Sequence, residues 1–389
     1  MDIEHLAHWA DLKGIKLLGT GDFTHPEWLE ELKDKLHYEG MGIYKFRNTY
    51  FLLTGEVCNI FPDMKSGKIK KIHHIILSPD FSEVERINEE LKRWGDLSSD
   101  GRPVLEVDSA AMVRRIKKVS PSSHLIPAHV WTPHFSLFGA NSGFDRIEEC
   151  FQDQTEEIFA LETGLSSDPP MNRRLSCLDR FNLISNSDAH SPSKIGREAN
   201  CLDCSISYEE IIKTLRTGEH FLYTIEFFPQ EGKYHFDGHR SCGVRISPEE
   251  AIRSGNLCPL CQRPVTIGVM HRVLELADRK HEDIPEDQFV GHSYLIPLEE
   301  IIADALGVGS QSQQVRSKYL SLVREWGGEL PLLLNLPPST IKQNISPDIG
   351  LRILAVREGK VAIKEGYDGV YGEIKIEPEE KKDTQLKLF

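Results

Sequence analysis

The sequence predicts an α/β protein that contains a parallel sheet, open or closed into a barrel, followed by two further regions. Through residues 1–228, short apolar runs alternate with stretches of helical periodicity, and repeated strand–helix units of this size favour a parallel sheet. A group of cysteines and histidines interrupts this alternation over 229–285. Residues 286–376 mix helical and extended patterns, and 377–389 form a charged tail. We therefore expect a barrel domain, a zinc-binding module, a mixed α+β region and a tail.

Each element is predicted from its own pattern. Apolar residues at helical spacing begin at Ile3, and Gly14 is expected to end this first helix. Further helices are predicted over 26–36, 82–94, 109–119, 298–306 and 313–326. Strands are predicted over 15–18, 50–57, 72–77, 125–128, 158–162, 183–187, 353–363 and 366–376.

Composition excludes several classes of protein. The 389 residues carry a net charge of −14, which excludes a globally basic nucleic-acid coat but leaves room for a local basic groove. No apolar run is long enough to span a membrane. The acidic N-terminus is unlike a secretory signal, so we expect a cytoplasmic protein with reduced cysteines.

Carboxylate or imidazole side chains stand in or directly after most of the predicted strands. They are Asp22, Glu56, His73, His74, His129, Glu162, Asp188 and His190. In a barrel these strand ends converge on one face, where such ligands suit two or three Zn²⁺, Mn²⁺, Mg²⁺ or Fe²⁺ ions. Paired ions can generate a hydroxide and clamp a phosphoryl group.

Any single histidine at a strand end is as readily a hydrogen-bonded structural residue as a ligand. The combined pattern favours a metal site. Its strongest part is Asp188-x-His190, because residues i and i+2 of an extended segment face the same way.

The motifs around these residues resemble those of the PHP (polymerase and histidinol phosphatase) superfamily. They are Thr-Gly-Asp at 20–22, Gly-Glu-Val at 55–57, His-Ile-Ile-Leu at 74–77, Pro-Ala-His at 127–129 and Ser-Asp-Ala-His at 187–190. The resemblance implies a distorted (β/α)7 barrel whose multinuclear metal site hydrolyses phosphoesters.

By this resemblance, Glu56 would bridge two ions, His74 and His129 would hold one of them, and Asp188 and His190 would serve the others. Glu56, Asp188 and His190 are then the catalytic candidates. Asp22 stands where many members have histidine. His25 is either a substitute ligand or a residue at the start of the helix that follows.

One family motif is missing from this sequence. PHP proteins begin with a strand that carries Asp-x-His-x-His, and the opening residues here look like the helix that follows it. Either the sequence starts at an internal methionine, or the protein lacks its first strand and two ligands. The first explanation is preferred, because losing a central strand would leave its neighbours unpaired.

A second metal site is predicted from His239-x2-Cys242 and Cys258-x2-Cys261, which are separated by 15 residues. Two close pairs of such ligands suit tetrahedral structural zinc. His235 and His271 are alternative nitrogen ligands, and reduced thiols without metal are the other interpretation. The Cys201-x2-Cys204 pair has no second pair nearby and is interpreted as incidental.

Several motifs together resemble the endonuclease Q family. They are Asp-Gly-His-Arg-Ser-Cys at 237–242, Cys-Pro-Leu-Cys at 258–261, Gly-Val-Met-His-Arg-Val at 268–273 and Gly-Arg-Glu at 196–198. The resemblance implies an enzyme that nicks DNA 5′ of deaminated bases (uracil, hypoxanthine, xanthine) or abasic sites. Such an enzyme must extrude the damaged base, because the duplex hides its edges.

DNA binding requires cationic groups. The candidates are Arg197, Arg240, Arg263 and Arg272. Each of them taken alone is more readily interpreted as a solvated surface arginine than as a DNA contact. The final residues Gln385, Leu386, Leu388 and Phe389 are similar to the peptide that docks bacterial repair proteins on the DNA sliding clamp. A last strand packed on the domain is the alternative.

Two other functions remain open from the sequence. The protein is a PHP phosphoesterase for a small phosphorylated metabolite, or it is a DNA-binding protein whose metal site is incomplete and inactive.

Overall fold

A computed structural model describes residues 2–99 and 102–378. Within the described residues, the first part of the chain runs to Phe228. Its helices are α1 (Ile3–Lys13), α2 (Pro26–Lys35), α3 (Phe81–Leu91), α4 (Ser109–Val119), α5 (Ile147–Phe151), α6 (Pro169–Asn172) and α7 (Tyr208–Thr217). Its strands are β1 (Leu17–Gly19), β2 (His37–Gly40), β3 (Ile43–Phe46), β4 (Thr49–Pro62), β5 (Ile69–Ser78), β6 (Val104–Leu105), β7 (His124–Pro127), β8 (Ala160–Glu162), β9 (Asn182–Ile184), β10 (Ala199–Leu202) and β11 (Phe221–Glu226).

Short strands and helices follow. The remaining strands are β12 (Asp237–His239), β13 (Val244–Ile246), β14 (Gly291–Tyr294), β15 (Val361–Lys364) and β16 (Glu373–Ile376). The remaining helices are α8 (Pro248–Arg253), α9 (Val269–Leu276), α10 (Leu298–Leu306), α11 (Gln313–Glu325), α12 (Pro338–Asn344) and α13 (Pro347–Arg357). This order of helices and strands confirms the predicted α/β class. None of the described helices combines the length and apolarity needed to cross a membrane.

Helix ends follow from local chemistry. Asp2 accepts a hydrogen bond from the His5 backbone N–H at 2.9 Å and so caps α1, and Gly14 ends that helix with a φ of 75°. Asp108 caps α4 in the same way, at 2.8 Å from the N–H of Ala111.

The main sheet mixes parallel and antiparallel strands, which differs from the parallel sheet expected. β1 and β6 lie parallel to β4, whereas β4–β5 and β5–β7 are antiparallel. The reason is the connection between β4 and β5, which spans only residues 63–68. Six residues can close a hairpin, whereas a parallel crossover needs about a dozen.

The strand predicted over 353–363 is wrong in its first half. Residues up to Arg357 belong to α13, where Pro347 occupies the first turn and Ile349, Ile353 and Val356 are buried. Proline is favoured at the start of a helix, and the buried side chains recur at helical spacing. The predicted 366–376 strand is present only over Glu373–Ile376.

The core of the C-terminal helices reaches back to α1. The Lys13 ammonium lies 2.5 Å from the Glu329 carboxylate, and both side chains are at least 96% buried. Glu329 also accepts hydrogen bonds from the Tyr319 hydroxyl at 2.8 Å and the Leu298 backbone N–H at 3.0 Å. All polar groups of this contact are therefore paired, as buried charges require.

Candidate metal centre

Three side chains from two strands and a loop converge at one point. Glu56 lies on β4, His73 lies on β5, and His129 follows β7. The hairpin register pairs Cys58 with His73, so Glu56, two residues before Cys58, shares a sheet face with His73. Glu56 Oε1 lies 3.2 Å from His73 Nδ1 and 3.7 Å from His129 Nε2, and the two ring nitrogens are 2.9 Å apart.

The donor set of Glu56, His73 and His129 fits a divalent cation. Ligand atoms around a tetrahedral ion with bonds of about 2.1 Å are roughly 3.4 Å apart, and the three separations here are 2.9, 3.2 and 3.7 Å. All three side chains are at least 81% buried. Burial raises the pKa of Glu56, but the hydrogen bond from His73 and the charges of His129 and Arg102 lower it to about 2. The carboxylate is therefore ionised and ready to bind a cation.

His74, the ligand expected from the sequence, faces the other side of the sheet. It pairs with Val57 in the ladder and is fully buried. Its Nε2 lies 2.9 Å from the Ser109 hydroxyl, and its ring packs on Phe151. Burial lowers the pKa of His74 to about 3, which keeps the ring neutral. His74 thus lies outside the group of Glu56, His73 and His129, on the opposite face of the sheet from His73.

Glu162, at the end of β8, supports His129 from behind. Its Oε2 accepts the His129 backbone N–H at 2.7 Å and lies 3.3 Å from Nδ1 of that ring. Its Oε1 accepts a hydrogen bond from Asn186 at 2.9 Å. A carboxylate on the distal nitrogen is the usual device that orients a metal-binding imidazole.

Arg102 is a member of the site that the sequence analysis missed. Its Nε lies 2.6 Å from Glu56 Oε1, and its Nη2 lies 2.5 Å from Asp188 Oδ1. Burial would lower the pKa of Arg102, but Glu56, Asp188 and Asp22 favour the charged form and raise it. Arg102 follows a turn rather than a predicted strand, so the strand-end pattern gave no signal for it.

Asp188 and His190 lie beside the three-residue cluster. Asp188 reaches Glu56 through Arg102, while His190 is 73% exposed, with its Nδ1 3.9 Å from Asp188 Oδ1 and 3.0 Å from the Asp188 backbone oxygen. Asp22 is exposed in the turn after β1. His25 is the N-cap residue of α2, and its side chain makes no capping hydrogen bond.

Three of the predicted ligands share an unusual backbone conformation. Asp22, His129 and Asp188 have φ angles of 44°, 30° and 42°. Left-handed backbone at residues other than glycine costs free energy and concentrates at functional sites. Each of the three lies in the loop that follows a strand.

The cysteine module brings its four predicted ligands together. The ligand atoms of His239, Cys242, Cys258 and Cys261 all lie within 4.8 Å of one another. His239 Nδ1 is 3.5 Å from Cys261 Sγ. Burial raises the pKa of Cys258, but the backbone N–H groups of Cys261 and Leu260 lower it to about 7. This donor set fits one tetrahedral zinc ion.

The alternative nitrogen ligands are engaged elsewhere. His271 Nδ1 lies 2.5 Å from the buried Asp237 carboxylate, and the His235 ring stacks on Phe236. Neither belongs to the four-residue group.

The predicted DNA-binding arginines differ in their surroundings. Arg240 and Arg263 are exposed. Arg197 donates to the backbone oxygens of Ser187 and Asp188 at 2.8 and 3.1 Å, so it braces the loop before His190. Arg272, on α9, pairs with Asp145 at 2.5 Å. The predicted clamp-binding residues Gln385, Leu386, Leu388 and Phe389 lie outside the described residues.

The mixed α/β fold and its carboxylate–imidazole cluster define a protein of the PHP class. The MJ0043 C-terminal domain family matches residues 297–360. The chain is 31% identical to the lesion-specific endonuclease PfuEndoQ from Pyrococcus furiosus, with a TM-score of 0.85 over 97% of this chain and 90% of that one. It belongs to the endonuclease Q family.

Other relatives extend this picture. An endonuclease Q in complex with a 27-mer duplex, which carries an abasic lesion at the active site, has a TM-score of 0.84 and 30% identity over 98% of this chain and 94% of that one. The uncharacterized protein YqxK of Bacillus subtilis is 29% identical over 95% of this chain and 91% of its own length. The uncharacterized protein MJ0043 of Methanocaldococcus jannaschii is 31% identical over 64% of this chain, which is 32% of its own length.

Proposed function

We propose that this protein is a metal-dependent DNA repair endonuclease that hydrolyses the phosphodiester 5′ of deaminated bases (uracil, hypoxanthine, xanthine) or abasic sites. The observation that carries the proposal is the Glu56–His73–His129 cluster, whose donor atoms lie 2.9 to 3.7 Å apart. The family supports it, since one structure of an endonuclease Q holds duplex DNA with an abasic lesion at its active site.

The divalent ions, when bound, would supply an activated water and neutralise charge on the phosphoryl group. Glu56, His73 and His129 would hold one ion, with Asp22, Asp188 and His190 as candidate ligands for others. Glu162 keeps the His129 ring in place through its contacts with the backbone N–H and Nδ1. The His190 ring faces solvent beside Asp188, so it would be free to turn toward a bound ion.

Arg102 has two roles in this proposal. It balances the carboxylates of Glu56 and Asp188, as their 2.6 and 2.5 Å contacts indicate. It would also offer its guanidinium to a phosphate oxygen once ions take over that balance.

A nicking assay tests the proposal. Duplexes with a single uracil, hypoxanthine, xanthine or abasic site are incubated with the protein and Mn²⁺, Mg²⁺ or Zn²⁺, beside an undamaged duplex and a small phosphomonoester. We expect one nick 5′ of the lesion, and no nick with the Asp188→Asn variant. Hydrolysis of the phosphomonoester alone would instead identify a metabolite phosphatase. DNA binding without cleavage would identify an inactive DNA-binding protein.

We propose further that the last five residues dock the sliding clamp. The motif alone supports this: Leu388 and Phe389 would fill an apolar pocket while Gln385 makes polar contacts. The test compares binding of the purified clamp by the wild type and by the Leu388→Ala/Phe389→Ala double variant. Loss of binding in the double variant would support the proposal, and equal binding by the two proteins would refute it.

A further inference from the structure

The hairpin that carries two of the cluster residues continues well beyond the metal centre. β4 and β5 stay paired from Leu53↔Ser78 to Pro62↔Ile69. At the tip, Met64 is 93% exposed and Ile69 is 51% exposed. Residues 64–69 are all exposed. A methionine that is almost wholly in water at a hairpin tip buries very little of its apolar surface in this chain.

The tip is cationic in an acidic protein. Residues 63–69 contain two lysines and one aspartate, and Lys70 and Lys71 follow on β5, so this end of the hairpin is locally positive in a chain of −14. Among the described residues, neither Lys65 nor Lys68 forms an ion pair with an acidic side chain. The single aspartate, Asp63, is occupied by the turn itself, because it accepts the backbone N–H groups of Lys65 and Ser66 at 3.2 and 3.0 Å.

The hairpin fixes the distance between its tip and the metal centre. Glu56 and Pro62 lie on one continuous strand, six residues apart, which at roughly 3.3 Å per residue is about 20 Å. That length corresponds to about six base pairs of duplex at roughly 3.4 Å each. The other strand of the hairpin is held against the body, since Lys71 lies over the Phe135 ring and its backbone N–H bonds to Ser142.

We infer that this hairpin tip, residues 63–69, is a DNA-binding element that enters a groove of the duplex some six base pairs from the cleaved phosphate. Lys65 and Lys68 contact phosphates, and Met64 packs against base edges or a base step. Methionine is among the apolar residues that proteins insert into the minor groove. The inference rests on the proposed function, since it takes DNA as the substrate.

Charge complementarity favours DNA over a protein partner. The lysines form a local positive group that a polyanion matches, whereas protein interface cores are depleted in lysine. A protein partner or a purely solvated hairpin is therefore left as an outcome of the test.

The first measurement is the salt dependence of binding to lesion duplex, without catalysis, in Ca²⁺. Each lost phosphate contact reduces the slope of log affinity against log salt by about 1. We expect Lys65→Gln/Lys68→Gln to reduce the slope by about 2. The control pair Lys213→Gln/Lys342→Gln removes two exposed lysines from α7 and α12 and is expected to leave it unchanged. Met64→Ala should keep the slope but weaken binding about tenfold, because apolar contact carries no counterion release.

The second measurement locates the tip on DNA. The lesion is placed at the centre of a long duplex, or about four base pairs from one end or the other. We expect wild type and Met64→Ala to bind one of the two end-placed substrates with equal affinity, because on that substrate the duplex ends before it reaches the tip. An unchanged salt slope in the double lysine variant overturns the inference, as does a Met64 effect that persists on both end-placed duplexes. Absence of nicking by the wild type would count against the proposed function instead, so the two failures are distinguishable.

Discussion

Nδ1 of His73 lies 2.9 Å from Nε2 of His129. At this separation the two nitrogens cannot both carry a hydrogen directed at the other, so they share one proton or one cation. Glu56 Oε1, 3.2 Å from the first ring and 3.7 Å from the second, supplies the anionic third partner. This arrangement favours a shared metal ion over a purely structural histidine pair.

The adjacent histidines give the sharpest test of that interpretation. His73→Ala removes a donor from the cluster and should weaken Mn²⁺ binding by at least about 100-fold in calorimetry. His74→Ala should retain Mn²⁺ binding but lower the free energy of unfolding by about 2–4 kcal/mol, because it leaves a cavity and takes the partner of Ser109 away. Loss of Mn²⁺ binding in His74→Ala but not in His73→Ala would show that the hairpin register does not determine which histidine binds the metal.

Arg102 should compete with the metal. Its guanidinium bridges Glu56 and Asp188 at 2.6 and 2.5 Å, so an ion must displace at least one of these contacts. Arg102→Gln is expected to tighten Mn²⁺ binding about tenfold while slowing cleavage, since the same group would bind the phosphate. Arg114→Gln, which removes an exposed ion pair with Asp153, is the matched control. Unchanged or weaker metal binding in Arg102→Gln would contradict the competition.

The cysteine module should hold one zinc ion per chain. Cys258→Ser removes a buried thiol from the group of four and is expected to abolish zinc retention after dialysis and to lower the melting temperature. Cys204→Ser, a thiol outside that group, should retain the metal. Zinc measured by mass spectrometry in both variants checks this, and equal zinc content would exclude the assignment.

Glu231 should make stability depend on pH. Burial, followed by the negative charge of Glu300, raises the pKa of Glu231 to about 7 from 4.5. The pKa of Glu231 is therefore higher in the folded chain than in the unfolded chain. Its contribution to the free energy of unfolding is complete below about pH 4.5 and is lost as pH rises through 7. Between pH 5 and 8 the wild type should lose about 2–3 kcal/mol relative to Glu231→Gln. Thermal melts of both chains at the two pH values measure this, with the exposed Glu219→Gln as the control, and parallel melting curves for wild type and Glu231→Gln would disprove it.

Local chemistry predicted much of the fold. Gly14 and the alternation of apolar runs predicted the first helices and strands to within a few residues. The sequence could not decide between His73 and His74, because the face of each depends on which residue of β4 lies opposite. The turn between β4 and β5 sets this pairing register, and the number of residues in the turn does not by itself determine it.

Two other residues show the same limit. Arg102 reaches the site from a turn, and only tertiary packing brings its guanidinium to carboxylates 46 and 86 positions away. Ile353 lies in an apolar run with strand propensity, yet it is buried in a helix. Core packing overrides a weak local preference there.

The buried contact between Lys13 and Glu329 ties the first helix to the last third of the chain. A chimera that joined α1 of this protein to the C-terminal helices of a relative with an apolar residue at position 329 would inherit an ammonium with no counter-ion. Such a hybrid would have to expel the lysine to water, and the two segments would come apart. Exchanges among relatives therefore need to move both partners together.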